Sequence, residues 1–396
     1  MYDCGVRERR HTAGAGSRAC RGRIAAFGLC AAPLLALTLA GCDPESTIED
    51  LGTLGGTNSI ALGINAAGNV TGSSFLSSTD PHFAGLHAFR YVDGLGMIDL
   101  GAFQPGNTSE GCGINDGGFV AGGSLAADGV IHAFRANALL TLADLGTLGG
   151  EFAFAKDINN QGVVTGEASN ASGDVHAFLW TLASGMRDLG TLGGSGSAGR
   201  SINQSGQVAG ESKIGSGSKT HAFRHTEGAG MLDLGTLQGG TSSSAFGIND
   251  AGQVVGESDT GPVTAPFSRF GAFPDLFGTH AFLWTQGAGM IDLGHLGGGH
   301  STALAINNTG VVVGTSTIAN GTSRAFRWTQ PDGMVDLNTL LPPNSGWVLD
   351  IAHDVNDRGQ IVGEGLHNGQ RHAFRYNPPE LTEAAPAAAS VKAPRP

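Results

Sequence analysis

Six histidines recur at one position of a repeated tripeptide, H-A-F: His87, His132, His176, His221, His280 and His372, with Arg324 standing in the histidine place once. Histidine at regular spacing is the residue type that binds transition metals or relays protons near neutral pH. A second series is carboxylate. Glu167, Glu211, Glu257 and Glu364 share one repeat position and could present several negative charges to cations or polar ligands. Glycosidases also use paired carboxylates, but regular spacing in a repeat says nothing about the separation that such chemistry requires. His295 and His300 flank a glycine run and could share a metal, although two histidines without a third ligand are a weak signal. The densest aromatic cluster, Phe267, Arg269, Phe270, Phe273 and Phe277, lies in the longest variable stretch of an aromatic-poor chain. Such side chains can stack on sugar faces, fill a partner's pocket or bury one another.

Most of these residues also have a plainer reading. A position that repeats is what a repeated packing task produces, and alternation along His176-Ala177-Phe178-Leu179-Trp180 sets His, Phe and Trp on one face of a strand. A hydrogen-bonded structural role is therefore expected for the histidines. The aspartates of a second motif, D-L-G, are Asp50, Asp99, Asp144, Asp188, Asp233, Asp292 and Asp336. They are expected to accept backbone N–H groups of their own glycine-rich turns. In a third motif, I-N-x-x-G-x-V-x-G, the asparagines Asn65, Asn115, Asn159, Asn203, Asn249, Asn307 and Asn356 suit the opening of a type I turn, with the glycine taking positive φ. No G-x-S-x-G elbow, H-E-x-x-H helix or C-x-x-C pair occurs. The G-x-G-x-x-G match at Gly194–Gly199 sits between strands with no helix to receive a pyrophosphate. No catalytic residue, metal or cofactor is assigned, and the chain is expected not to be an enzyme.

The elements that position these residues follow from the spacing. Each motif occurs seven times in fixed order, and successive turn asparagines lie 44 to 58 residues apart. That period matches propeller blades, and each unit reads as four short strands. With 66 glycines and 14% charged residues, the composition suits short strands and tight turns. The first strand of each unit is rich in small residues, as in Ser59–Ile64, which fits a crowded innermost position. The chain opens at a fourth strand, near Asp50, and its last motif is a third strand, near His372. An all-β, seven-bladed β-propeller of four-stranded blades is expected, closed by pairing of the N- and C-terminal strands so that no long edge is left open. A β-solenoid would need caps that are not found. The loops after strands two and four, including those around Gly-Thr-Leu-Gly-Gly, should share one face, and binding is expected there, with the four glutamates around it.

Arg7, Arg9, Arg10, Arg18, Arg21 and Arg23 precede an uncharged apolar run from Ile24 to Leu39, the order of an export signal and too short for a membrane span. The run ends in Leu39-Ala40-Gly41-Cys42, which resembles the lipobox of bacterial lipoproteins. The resemblance implies loss of residues 1–41 and lipidation of Cys42. Residues 42–46 would then be a tether, 47–377 the propeller and 378–396 a disordered Ala/Pro-rich tail. The part beyond residue 41 carries 16 basic against 32 acidic residues, which argues against nucleic acid as a partner. Cys112 is left without an intramolecular disulfide partner.

The three motifs together resemble the HAF family of probable extracellular repeats, over essentially all of residues 50–376. That resemblance implies location and repetition rather than chemistry. The expected function is a noncatalytic binding module held by lipid at the cell envelope, facing the periplasm or the cell surface, with a glycan or protein ligand. The alternatives are an enzyme acting on extracellular polymer and a purely architectural envelope protein. Oligomeric state is left open.

Overall fold

The computed structural model describes residues 46–77, 85–137, 141–262 and 277–379. They form seven antiparallel sheets of four strands each, a seven-bladed propeller. The first blade comprises Gly55–Ile64, Val70–Leu76, Leu86–Val92 and Gly96–Gly101, paired in chain order, and five further blades repeat it. The seventh takes three strands from the C-terminal side, Trp347–Val355, Ile361–His367 and Gln370–Asn377. Its outermost strand is Thr47–Asp50, with Thr47 opposite Asn377 and Asp50 opposite Phe374. The expected closure is thus present. No helix among the described residues is long and apolar enough to cross a membrane.

Two features of the repeat explain how the blades pack. All seven H-A-F phenylalanines and all seven alanines are completely buried. Between each pair of neighbouring blades lies one apolar cluster, in which the phenylalanine of one blade meets the alanine of the blade before it: Phe178 with Ala133, Phe282 with Ala222, Phe89 with Ala373. A large side chain fits against a small one at every interface, and each buried ring contributes about 1.5–3 kcal/mol by transfer alone. The second feature is the glycine of V-x-G. A Cβ at Gly72 would sit 1.9 Å from the Ile60 carbonyl oxygen, and the equivalent contact at Gly166 is 2.1 Å from Phe154. The innermost strand bulges beside these sites, pressing a carbonyl onto the second strand.

In four blades the innermost strand starts earlier than its small-residue run suggests, at Gly55, Gly149, Gly193 and Gly297. Gly55 already pairs with Leu76, so the end of Gly-Thr-Leu-Gly-Gly belongs to the strand rather than to a loop. A Cβ at Gly56 would lie 2.5 Å from the Phe75 carbonyl oxygen, so only glycine brings the backbones this close.

Candidate functional site

The repeated polar residues hold the scaffold. In six blades the H-A-F histidine meets the D-L-G aspartate twelve residues on: His87–Asp99, His132–Asp144 and His221–Asp233 at 2.8 Å, His176–Asp188 and His280–Asp292 at 2.7 Å, and His372 with Asp50 across the closure at 2.8 Å. A carboxylate can only accept, so Nδ1 carries the proton in each pair. The aspartate also accepts the N–H of the glycine two residues later, as expected: Gly101 to Asp99 at 2.7 Å, Gly235 to Asp233 at 2.8 Å. In the sixth blade, where Arg324 replaces histidine, Asp336 instead accepts Asn338 N–H and caps the 3-10 turn Leu337–Leu340. The hydrogen bond that His87 donates to Asp99 raises the His87 pKa above its usual value against the effect of burial. Burial pushes Asp50 up, but hydrogen bonds from His372, Gly52 and His367 outweigh it and leave the carboxyl below its ordinary value.

The turn asparagines do more than open turns. Asn65 Oδ1 accepts the N–H groups of Ala67 and Asn69, while its Nδ2 donates to the Asn115 carbonyl of the next blade at 3.0 Å. The link repeats through Asn115, Asn159, Asn203, Asn249 and Asn307 to Asn356, whose Nδ2 donates back to the Asn65 carbonyl at 3.0 Å. Seven side chains thereby form a closed belt around the central opening. Each turn glycine in this motif has positive φ, 89° at Gly68 and 76° at Gly359.

Inside this belt the repeat stops repeating. Three residues before each turn asparagine, on the innermost strand, the chain presents Leu62, Cys112, Lys156, Arg200, Phe246, Leu304 and His353. All seven are half-buried and line one central cavity of about 210 Å³. Cys112, Lys156 and Arg200 follow one another on three consecutive blades; Phe246 and Leu304 occupy the next two. Behind the cations stand carboxylates. Arg200 pairs with Glu211 of its own blade and reaches Glu167 of the preceding blade at 3.7 Å; Lys156 is also 3.7 Å from Glu167. Glu364 accepts from Arg371 at 2.9 Å and lies 3.7 Å from His353. Burial raises the Cys112 thiol far above its ordinary pKa, so it stays protonated and is a poor nucleophile.

One residue further along, two blades carry a carboxyl where others have Gly, Ser or Ala. Asp157 accepts Ile202 N–H at 2.9 Å, Ser201 Oγ–H at 2.9 Å and Ile158 N–H at 2.7 Å. Asp354 accepts Ile64 N–H and Val355 N–H, both at 2.8 Å. Desolvation raises Asp157 to about 6, against these bonds. It raises Asp354 to about 7, where the negative charge of Asp157 adds to the effect. Both carboxyls border the same cavity.

The structure disposes of the expected site residues unevenly. Glu167, Glu211, Glu257 and Glu364 stand within their strands, partly or fully buried and already engaged: Glu257 accepts from Thr302 of the next blade at 2.6 Å. They do not form a free collar of charge on the loop face, because their side chains turn onto neighbouring strands beside the cavity. His295 Nδ1 accepts Gly297 N–H at 2.9 Å, and His300 Nδ1 accepts Thr279 N–H at 3.4 Å, so both rings are drawn to backbone. Phe267, Arg269, Phe270 and Phe273, like Cys42, lie outside the described residues; of Phe277 only its place at the start of the strand Phe277–Thr285 is described. The channel-lining position went unnoticed in the sequence because its seven residues are of six different types. Its signal was the reverse of a motif: a fixed place before I-N that is not held to one residue type.

No family model and no curated protein sequence matches the chain. Among solved structures it is similar to TolB from Acinetobacter baumannii, at 9% identity and a TM-score of 0.40 over 77% of this chain and 63% of that one. It is similar to the extracellular domain of a one-component system from B. thetaiotaomicron, at 10% identity and a TM-score of 0.48 over 83% of this chain and 39% of that one. A gluconolactonase from Xanthomonas campestris matches at 11% identity and a TM-score of 0.35, over 85% of this chain and 95% of that one. The chain thus spans under two thirds of the first two. At such identities the likeness concerns the fold alone.

Proposed function

We propose that this chain is a noncatalytic binding module of the HAF-repeat kind, lipid-anchored through Cys42 outside the cytoplasm, and that its central cavity receives a sugar unit of an envelope glycan. The observation that carries the reading is the ring Leu62, Cys112, Lys156, Arg200, Phe246, Leu304 and His353, where seven otherwise equivalent strands present different side chains to one space. Phe246, Leu304 and Leu62 offer apolar surface for the C–H face of a sugar ring, while the Lys156, Arg200 and Glu167 group offers charged donors and an acceptor to hydroxyls. The cavity is concave and mostly polar: Lys156, Arg200, His353, Asp157 and Asp354 converge on it beside a few apolar side chains, which suits a hydroxyl-rich ligand better than an apolar one.

Thermal unfolding of the purified chain across a panel of envelope glycans and peptidoglycan fragments tests it, since a ligand that binds the folded state raises its apparent stability. A saturable rise that disappears in Arg200→Ala and Phe246→Ala is the expected result. A rise that survives both but is lost in Phe270→Ala moves the site to the long variable segment. No rise with any glycan favours a protein partner or an architectural role.

The second reading is an enzyme acting on extracellular polymer, and one observation favours it: Asp157 and Asp354 border the cavity with raised pKa values, as general acids do. Their oxygens are, however, already committed to backbone donors. Glycan turnover lost in Asp354→Asn with binding retained would decide for the enzyme.

A further inference from the structure

The closure of the ring differs from the other blades at one point. Asp50, from the first strand, and His372, from the last, make the rim pair found in six blades; here a second histidine, His367, joins them. His367 Nδ1 is 2.8 Å from Asp50 Oδ2, and His372 Nδ1 is 2.8 Å from the same oxygen. The three candidate ligand atoms all lie within 4.8 Å of one another, the one such cluster among the described residues. The arrangement is held from outside. Trp347 stacks flat on the His367 ring at 4.6 Å between centroids and 3° between planes, and Phe374 meets Trp347 edge-on. Asp50 Oδ1 is fixed by Gly52 N–H at 2.8 Å.

We propose that Asp50, His367 and His372 form a binding site for a divalent transition ion, of which Zn²⁺ is the type case, and that the bound ion staples the first strand of the propeller to its last hairpin. Two imidazoles and one carboxylate are a donor set for borderline ions such as Zn²⁺, Co²⁺ or Ni²⁺ rather than for Ca²⁺ or Mg²⁺. Zinc bonds of about 2.0–2.2 Å in tetrahedral geometry separate neighbouring donor atoms by about 3.3 Å, so the present contacts need open by only about half an ångström. Each neutral imidazole moves its proton from Nδ1 to Nε2 and offers Nδ1 to the ion. No net proton need leave the two rings. All three side chains are partly exposed, which leaves room for water as a remaining ligand.

Neighbouring blades show why this site is singular. In the second blade, His132 also has two acidic partners, but Asp144 takes Nδ1 and Asp128 takes Nε2, so the carboxylates stand at opposite sides of the ring. After the fifth blade, His295 lies 5.1 Å from the His280 ring, yet its Nδ1 is turned to the N–H groups of Gly297 and Gly299. Only at the closure do both rings direct the same nitrogen to one carboxylate. It is also the place where a cross-link matters most, because Thr47–Asp50 is the strand that must dock to shut the ring.

The test is titration of the chelator-treated, full chain with Zn²⁺, read by calorimetry and by thermal unfolding, with Mg²⁺ as the hard-ion control. One Zn²⁺ per chain, accompanied by a rise of a few degrees in the unfolding midpoint, is expected. Both should be lost in His367→Phe, which keeps a ring on Trp347, and both should persist in His221→Phe, which removes a rim pair in a blade without a second histidine. Co²⁺ added to the unaltered chain should give the visible absorption of a nitrogen- and oxygen-bound ion and shift the ring protons of His367 and His372, a reading that needs no variant to fold. Absence of Zn²⁺ binding, binding undiminished by His367→Phe, or Co²⁺ shifts confined to other histidines would each overturn the proposal.

Discussion

The rim and the channel of this propeller are built from the same seven repeats and treat side-chain identity in opposite ways. At the rim, histidine and aspartate recur because each blade has the same gap to bridge between its third and fourth strands. At the channel wall, one position takes leucine, cysteine, lysine, arginine, phenylalanine, leucine and histidine in turn. A recurring polar residue, however suggestive of chemistry, reports a recurring structural demand. A position the scaffold leaves unconstrained is where chemistry can differ from blade to blade.

Substitutions that break this contrast should rank by how much of the scaffold they touch. Phe223→Ala empties the interface between the third and fourth blades, where the ring packs against Ala177, and should cost about 3–5 kcal/mol by urea unfolding. Asn203→Ala removes both the turn acceptor and the donor to the Asn249 carbonyl, and should cost about 1–3 kcal/mol in the same assay.

Acidity offers a reading without mutation. Asp157 and Asp354 are raised from 3.8 to about 6 and about 7 in the folded chain, so the native state takes up protons that the unfolded chain does not, and stability should rise as pH falls from about 7 toward 4. His87 and His132, raised above 6.5, act in the same sense, since their contribution is present below 6.5 and lost as pH rises through their folded values. Asp50, Asp99 and Asp292 are lowered, and their contribution is lost as pH falls below 3.8. Unfolding midpoints measured against pH should therefore peak in mildly acidic solution. Asp354→Asn, which mimics the protonated carboxyl, should flatten the limb above pH 5 by on the order of 1 kcal/mol.

Smaller effects sharpen the comparison. Arg200→Ala should abolish glycan binding at the channel at a stability cost of about 1–2 kcal/mol, since it takes the guanidinium away from the mostly buried Glu167 and Glu211. His221→Gln leaves Asp233 half-exposed and still bonded to Gly235, so the loss should be about 0.5–1 kcal/mol. A large loss of stability in Arg200→Ala with binding intact would reverse the roles assigned to rim and channel.

Much of the architecture was legible because repetition amplifies weak local signals. One I-N-x-x-G is only a turn; seven at 44 to 58 residues define blades. The complementary ends, a lone fourth strand and a final third strand, were enough to anticipate the closure at Asp50 and Phe374. The structural roles of histidine and aspartate were also legible, although their pairing with each other was not, since the two motifs lie on different strands and only the outer hairpin sets them opposite. The four glutamates could be assigned a shared position but not a partner, and those partners include Arg200 and Thr302 on adjoining blades.

The sequence by itself determined the number of blades, their strand order, the turn chemistry and how the ring closes, because each depends on periodicity and on residues close along the chain. Only the tertiary structure decided that seven side chains of six types face one cavity, that seven asparagines link into a belt, and that His367 joins Asp50 and His372. Those groupings unite residues from 44 to more than 300 positions apart, and nothing local in the chain encodes which atoms meet when the ring is shut.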